Sequence, residues 1–540
     1  MRGLSVTLCL LLACAGEPGP PTLVVPADAG VAAPAGPVDP LASVPQDTPY
    51  LLAMLEPLPA AAQARLGPEL RPVLQRMAVL AGDLAGIEGD DRVDRMCDAL
   101  IAELAGGDLL RQHGVIYDLR GVSVVRIESR DAAGLEAALA RAAARVPGVG
   151  RRDGGARWLA ASGERRLYVA ADGAELLVAE GDAALLDPMM PVLRREAPLP
   201  APPVSADGLR KLAVEHELLP SVIGYLDPAR VGERLKDPQL LASLGAKVDD
   251  SSAQCRDAVG GALADLPRVV FGARAPAPGQ VELVAEFDLS PGLRAALAAQ
   301  APVPGIPPGF AGQPLIGLAI AGSDVAGAAG PWEMALRRIL FACDPKASLA
   351  LLASPLDQIR GGALVIYDGK LEGFFPTHLQ GYAVLLTRDA QAAVDKLHYL
   401  GVRPPRLRDG APFVKLGLGK LRGFVDAAYL ARRGDSVVLA VGDQGRAQAE
   451  AALAPAGPAP FLALSVDLAR FNAFGTDHPS SPLDQQAERV KQVDDGLLAD
   501  AGLYDLRDRL IGRVDVSIRS GPRGLVAAVR LDLLPPPAAP

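Results

Sequence analysis

Six short words of this chain occur twice, in the same order, 240 to 261 residues apart. Val115-Ile116-Tyr117-Asp118 returns as Val365-Ile366-Tyr367-Asp368, and Ser129-Arg130-Asp131 as Thr387-Arg388-Asp389. Asp153-Gly154-Gly155-Ala156, leading toward Trp158, is matched by Asp409-Gly410-Ala411, leading toward Phe413. Leu176 to Asp182 resembles Val437 to Asp443, Leu226 to Val231 resembles Val466 to Phe471, and Arg268-Val269 with Phe287-Asp288-Leu289 resembles Arg513-Val514 with Leu531-Asp532-Leu533. A tandem duplication makes such a series, because each copy must preserve the same order of turns and strand ends. The expected division is a first repeat over 46–300, a proline-rich linker over 301–314, a second repeat over 315–535 and a proline-rich tail over 536–540.

Both halves repeat one local grammar. An apolar strand ends at an acid or serine and a helical pattern follows, as when Val122 to Ile127 leads to Asp131 and then Leu135, Leu139 and Ala143. Tyr382 to Leu386 leads in the same way to Asp389, Ala393 and Leu397. Asp227-Pro228 and Ser290-Pro291 each place an N-cap before a first-turn proline. Asp131, Asp227, Asp389 and Asp467 are therefore read as helix caps, where a carboxylate accepts free backbone N–H groups and meets the helix dipole. Hairpins stand between these units, around Asp172-Gly173 and around Gly521-Pro522. Hairpins mixed with helices predict an α+β fold, each half a mainly antiparallel sheet with helices on one face.

Half of the 540 residues are apolar and 22% are charged, enough for two cores. The net charge of −9 excludes a nucleic-acid binder, which needs a basic stripe. One apolar run, Leu4 to Leu12, follows Met1-Arg2 and is too short to span a bilayer. Leu11-Leu12-Ala13-Cys14 ends it and is similar to the lipobox of bacterial lipoproteins. That resemblance implies a signal peptide over 1–13, cleavage before Cys14, and acylation of Cys14 as the membrane anchor. Ala15 stands where such lipoproteins carry an inner-membrane retention aspartate, which points to the outer membrane, facing the periplasm or the cell surface. Residues 14–45, rich in Pro, Ala and Gly, read as a tether to the body.

Three cysteines follow Cys14. Cys255, in a polar stretch, and Cys343, before Asp344-Pro345, form the preferred disulfide pair; Cys97–Cys343 is the rival, and Cys97 also reads as a buried thiol. No catalytic, cofactor or metal set is expected. The histidines at 113, 216, 378, 398 and 478 lack the spacing of a metal site, and His216-Glu217 lacks the second histidine of a zinc-hydrolase helix. Glu88-Gly89-Asp90-Asp91 with Asp94 lacks the alternation of a calcium loop and reads as a solvated turn. Asp118 and Asp368, one per half, invite comparison with a shared-proton carboxylate pair. Asp118 is followed by Leu119-Arg120 and Asp368 by Gly369-Lys370, which removes that pattern and leaves a turn or cap role.

Thr48 to Ala53 and Pro460 to Asp467 resemble strand–helix units of large, uncharacterised, internally duplicated bacterial envelope proteins. Cys255-Arg256-Asp257 with Leu266 to Gly272 does the same. The resemblance implies no activity and no site residue. The expected protein is an anchored, non-catalytic lipoprotein that binds an envelope protein partner or serves a structural role. The alternative is a carrier of an apolar ligand or lipid, and behind it a hydrolase.

Overall fold

Two-residue turns begin the architecture. Leu119 pairs with Val122 across Arg120 and Gly121, which both take left-handed backbone angles, φ +52° and +89°. That handedness matches the twist of paired strands and closes a tight hairpin. Two-residue turns also join Asp172 to Glu175, where Gly173 takes φ +61°, and Gly521 to Gly524, at the two hairpins the sequence marks. In the computed structural model the described residues are 39–65, 91–104, 109–151, 156–234, 256–277, 279–295, 310–321, 359–395, 403–418, 425–452, 460–471 and 510–534, a few positions inside these runs excepted.

The strands are β1 (Tyr50–Met54), β2 (Leu110–Leu119), β3 (Val122–Ser129), β4 (Gly150–Arg151), β5 (Arg157–Ser162), β6 (Arg165–Asp172), β7 (Glu175–Asp182), β8 (Ile223–Leu226), β9 (Val269–Arg274) and β10 (Gln280–Asp288). They continue as β11 (Ile316–Ala321), β12 (Ile359–Glu372), β13 (Phe375–Thr387), β14 (Val414–Lys415), β15 (Ala428–Arg433), β16 (Ser436–Val441), β17 (Leu462–Asp467), β18 (Ile511–Gly521) and β19 (Gly524–Leu533). All nineteen described strands join one open sheet through antiparallel ladders. The centre is the β10–β19 ladder, running from Gln280↔Asp532 to Asp288↔Gly524. Outward from β10 the order is β9, β8, β1, β2, β3, β7, β6, β5, β4. Outward from β19 it is β18, β17, β11, β12, β13, β16, β15, β14. Both outermost strands, β4 and β14, are two residues long and exposed.

Helices cover both faces of the sheet, which corrects the expected single layer. On the front, α1 (Arg92–Leu104) and α2 (Ala132–Arg145) bury Met96, Leu100, Leu135 and Leu139 against Ile116, Val125, Ile127, Val178 and Trp158. On the back, α3 (Ala183–Leu193) and α4 (Ala206–Glu215) bury Leu186, Leu193 and Leu209 against Tyr117, Val124, Leu177 and Tyr225. Helix α5 (Pro228–Arg234) follows β8. In the other half α6 (Ala390–Asp395) packs with Leu430 and Val437, while α7 (Gly442–Ala452) packs with Tyr382, Val384 and Val438. Gly445 lets α7 touch the sheet, since a Cβ there would stand 2.0 Å from the Gly381 carbonyl. The reason for two layers lies in β3 and β7: their buried residues run continuously rather than alternately, so both sides are shielded from water.

Residues 39–45, at the end of the stretch read from sequence as a tether, are structured. Asp39 caps a 3-10 turn, Pro40–Ser43, and Leu41 and Val44 are buried in the back core. Three aspartates cap as expected: Arg230 N donates to Asp227 Oδ1, Ala392 N to Asp389 Oδ1 and Arg470 N to Asp467 Oδ1. Asp131 occupies the N-cap position of α2 but makes no side-chain cap bond; its neighbour Ser129 bonds instead to the Leu109 and Asp131 carbonyls.

A buried ion pair ties the back layer to the sheet. Arg126 and Glu175 are both inaccessible to water, with Arg126 Nη1 2.7 Å from Glu175 Oε2. Arg126 Nη2 donates to the Leu193 carbonyl at the end of α3, and Arg195 Nη2 reaches Glu175 at 2.7 Å from the following turn. Burial pushes the Glu175 carboxyl up, while Tyr117 and Glu175 hold Arg126 above its ordinary value against the same burial. Removing one partner strands the other charge, so Glu175→Ala is expected to cost roughly 3–5 kcal/mol of stability. The double change Arg126→Met/Glu175→Leu should recover most of that loss in urea unfolding.

Candidate functional site

Alternation along the central strands sends two kinds of side chain to opposite faces. On the back, β10, β19, β18 and β17 carry a cross-strand row of Glu282, Arg530, Asp515 and Ser465, each opposite the next. Arg274 of β9 stands opposite Glu282, so the charges alternate in sign across the row. Asp515 is its hub. Ser465 Oγ donates to Asp515 Oδ1 at 2.5 Å, Arg513 Nε reaches the same oxygen at 3.3 Å, and Arg530 Nη2 reaches Oδ2 at 2.7 Å. The bond to Asp515 holds Arg530 above its ordinary pKa and therefore charged. Opposite charges facing across strands contribute about 0.2–1 kcal/mol per pair, so the ladder also sets register.

This row floors an open cleft of about 560 Å³. Ala463, Ser517 and Ala528 line one stretch of floor, Phe310 and Pro460 stand at the wall, and Arg519 closes one end. Arg513, Arg530, Glu282, Asp515 and Asp532 gather toward the other. Asp532 Oδ1 is buried and accepts no hydrogen bond, with Arg530 Nε 3.9 Å away. Phe310 and Gln313, from the stretch read as a linker, line this cleft.

Beside the cleft lies a second polar cluster, at the join of the halves. His216, which ends α4, is buried and directs Nδ1 to Glu286 Oε2 at 2.7 Å. Arg523, in the β18–β19 turn, donates from Nη1 to His216 Nε2 at 3.1 Å. A guanidinium has no acceptor, so Nε2 is the lone-pair nitrogen and Nδ1 carries the proton. Arg274 Nη2 bonds Glu286 Oε1 and the His216 carbonyl, and Arg523 Nη2 bonds the Glu215 carbonyl. Both imidazole nitrogens are thus engaged within the protein, and Ser465 has a carboxylate, not an imidazole, as its acceptor.

On the front the same strands present large apolar groups. Leu283, Val529, Val516, Leu464, Leu318 and Leu364 form one unbroken row across β10, β19, β18, β17, β11 and β12. The flanking positions on this face are Val281, Leu531, Val514, Val466, Ile316 and Ile366 on one side, then Ala285, Ala527, Ile518, Leu462 and Ile320 on the other. None of them is charged. Leu283, Leu318, Ile320 and Leu364 are 49%, 37%, 51% and 49% exposed. Buried side chains here are small and outward ones large, the reverse of ordinary sheet patterning.

The other residues singled out from sequence go elsewhere. Asp118 accepts from Gly121 N and pairs with Arg234, and Asp368 accepts from Gly369 N; eight strands separate β2 from β12. Asp91 and Asp94 pair with Arg165 at 2.7 and 3.0 Å, and Asp91 Oδ1 caps α1. His113 pairs with Glu128 and His378 with Asp426. Among the described residues no three His, Cys, Asp or Glu side chains gather as a metal site. Cys14, Cys255, Cys343, His398 and His478 lie outside the described residues. Cys97 is a free, buried thiol in α1, which removes the Cys97–Cys343 pairing. One signal of the cleft was present in the chain: Arg513-x-Asp515-x-Ser517-x-Arg519 and Arg530-x-Asp532 place polar groups at every second residue.

No family model, curated protein or solved structure matches the chain. Among the described residues no helix is long and apolar enough to cross a membrane.

Burial, followed by the nearby carboxylates Glu180, Asp94 and Asp98, pushes the Cys97 thiol well above its ordinary pKa. Cys97 is expected to resist iodoacetamide at pH 8 in the folded protein and to react fully in guanidinium, as read by peptide mass mapping.

Proposed function

We propose that the chain is a membrane-anchored, non-catalytic lipoprotein of the cell envelope. It docks an envelope protein partner through the front face of its central strands. The observation that carries this reading is the uncharged leucine row with Leu283, Leu318 and Leu364 open to water. Six strands about 4.8 Å apart, with three residues per strand, make a face of several hundred Å². Monomeric soluble proteins rarely leave so large an apolar patch uncovered, and patches of this kind mark interaction surfaces. Neither ring nitrogen of His216 is available to activate water, so the hydrolase reading gains nothing from this residue. A flat face also suits another protein better than a single apolar ligand, which favours enclosure.

Two tandem copies of one α+β unit account for the body. In support, the strand order outward from β10 and β19 is the same through eight strands on each side. Ladder registers agree with most of the repeated words: Leu226↔Val269 corresponds to Val466↔Val514, and Tyr168↔Ala179 to Tyr429↔Ala440. The word Val-Ile-Tyr-Asp departs. Arg126 pairs with Val115, but its counterpart Val384 pairs with Ala363, two residues before Val365. A shift of two preserves the face of every side chain.

Two experiments test the reading. Cys14→Ser should abolish incorporation of labelled palmitate and release the protein from washed membranes, whereas continued membrane retention without acylation would remove the anchor. A photo-crosslinker at Leu318 should trap one protein species in intact envelopes, and Leu364→Asp should suppress it. Lipid co-purifying with the native protein, and lost in Leu364→Asp, would favour the carrier instead.

A further inference from the structure

The back-face cleft is a dipolar trough, and we infer that it binds a short linear peptide with free ends. At one end Arg519 forms no ion pair or hydrogen bond with a described residue, leaving its guanidinium open to a ligand anion. At the other end three carboxylates, Glu282, Asp515 and Asp532, meet two guanidiniums, Arg513 and Arg530. Asp515 is saturated by its three partners, so the surplus negative charge rests on Glu282 and on the unbonded Asp532 Oδ1. Glu282 faces Arg530 across the ladder, and its ion-pair contact among the described residues is Arg274, at 3.9 Å, an arginine committed to Glu286.

The spacing selects the ligand. Asp532 lies at the level of Arg513, and Arg519 is six residues further along β18, about 20 Å away in an extended strand. Their side chains reach inward, leaving a gap that about five extended residues fill at roughly 3.3 Å each. An α-ammonium then sits at Asp532 and Glu282, and an α-carboxylate at Arg519. Between them the floor is Ala463, Ser517 and Ala528, which admits only small side chains and offers a hydroxyl to the peptide backbone. The volume falls in the ordinary range for small-ligand sites. The side chains that floor this trough alternate with those of the docking face, and Leu464 and Val516 of the leucine row also contribute to its lining.

Calorimetry with the full chain and penta-alanine as probe tests the assignment. Free-ended penta-alanine should bind, and N-acetylation or C-amidation should each weaken it about tenfold, the scale of one charge-assisted contact. Arg519→Gln should abolish the penalty for C-amidation while keeping that for N-acetylation, and Asp532→Asn should do the converse. 12-Aminododecanoate, a zwitterion of similar length without amides, should bind more weakly than the peptide. Equal binding of capped and free peptides, or no binding at millimolar concentration, overturns the site. Equal binding of 12-aminododecanoate overturns the peptide class, and equal effects of Arg519→Gln on amidated and free peptides overturn the polarity.

Discussion

Everything in this molecule hangs on the β10–β19 ladder. Nine residue pairs, Gln280↔Asp532 through Asp288↔Gly524, join strands that lie at the ends of the two sequence halves. Without that ladder each half would end in an exposed strand edge, with a row of unpaired backbone donors and acceptors. With it, two sheets become one, and two surfaces arise that neither half has alone. The charge row, the cleft and the leucine row each draw on β10 or β19 together with β17 and β18. His216 and Arg523, from opposite sides of the ladder, fasten it with a half-buried hydrogen bond.

The central strands divide their labour by parity. Residues of one parity are small or charged and face the back, where they form the trough. Residues of the other parity are large and apolar and face the front. The flanking strands β3 and β7 have no such division and carry helices on both sides. The centre therefore differs from the flanks in what covers it, and the difference follows from the alternation of a few side chains.

Local chemistry was legible in the chain, and long-range chemistry was not. Asp227, Asp389 and Asp467 announced helix starts because a cap is an interaction over three residues. The turns at Gly173 and at Pro522 were legible for the same reason. Asp131 misled because Ser129, two residues earlier, makes the local bonds instead. The second helical layer was hidden in strands such as Leu176 to Ala179, whose unbroken apolar run shows burial but not the number of covering layers. Leu41 and Val44 sat unnoticed inside a proline-rich stretch, and the fold draws them into the core. The Glu282–Arg530–Asp515–Ser465 row joins residues up to 248 positions apart, so no local pattern could assemble it. Period-two polarity in β18 was its one visible trace.

The two rims of the sheet have a consequence for solubility. A row of nineteen strands could in principle go on recruiting strands from other molecules, as fibrils do. Among the described residues it stops on stubs, Gly150–Arg151 at one margin and Val414–Lys415 at the other, each offering too few backbone groups to template another chain and each carrying a cation. A broad sheet can thus sit at high local density without polymerising sideways, because its growth is terminated at both described borders by brevity and charge.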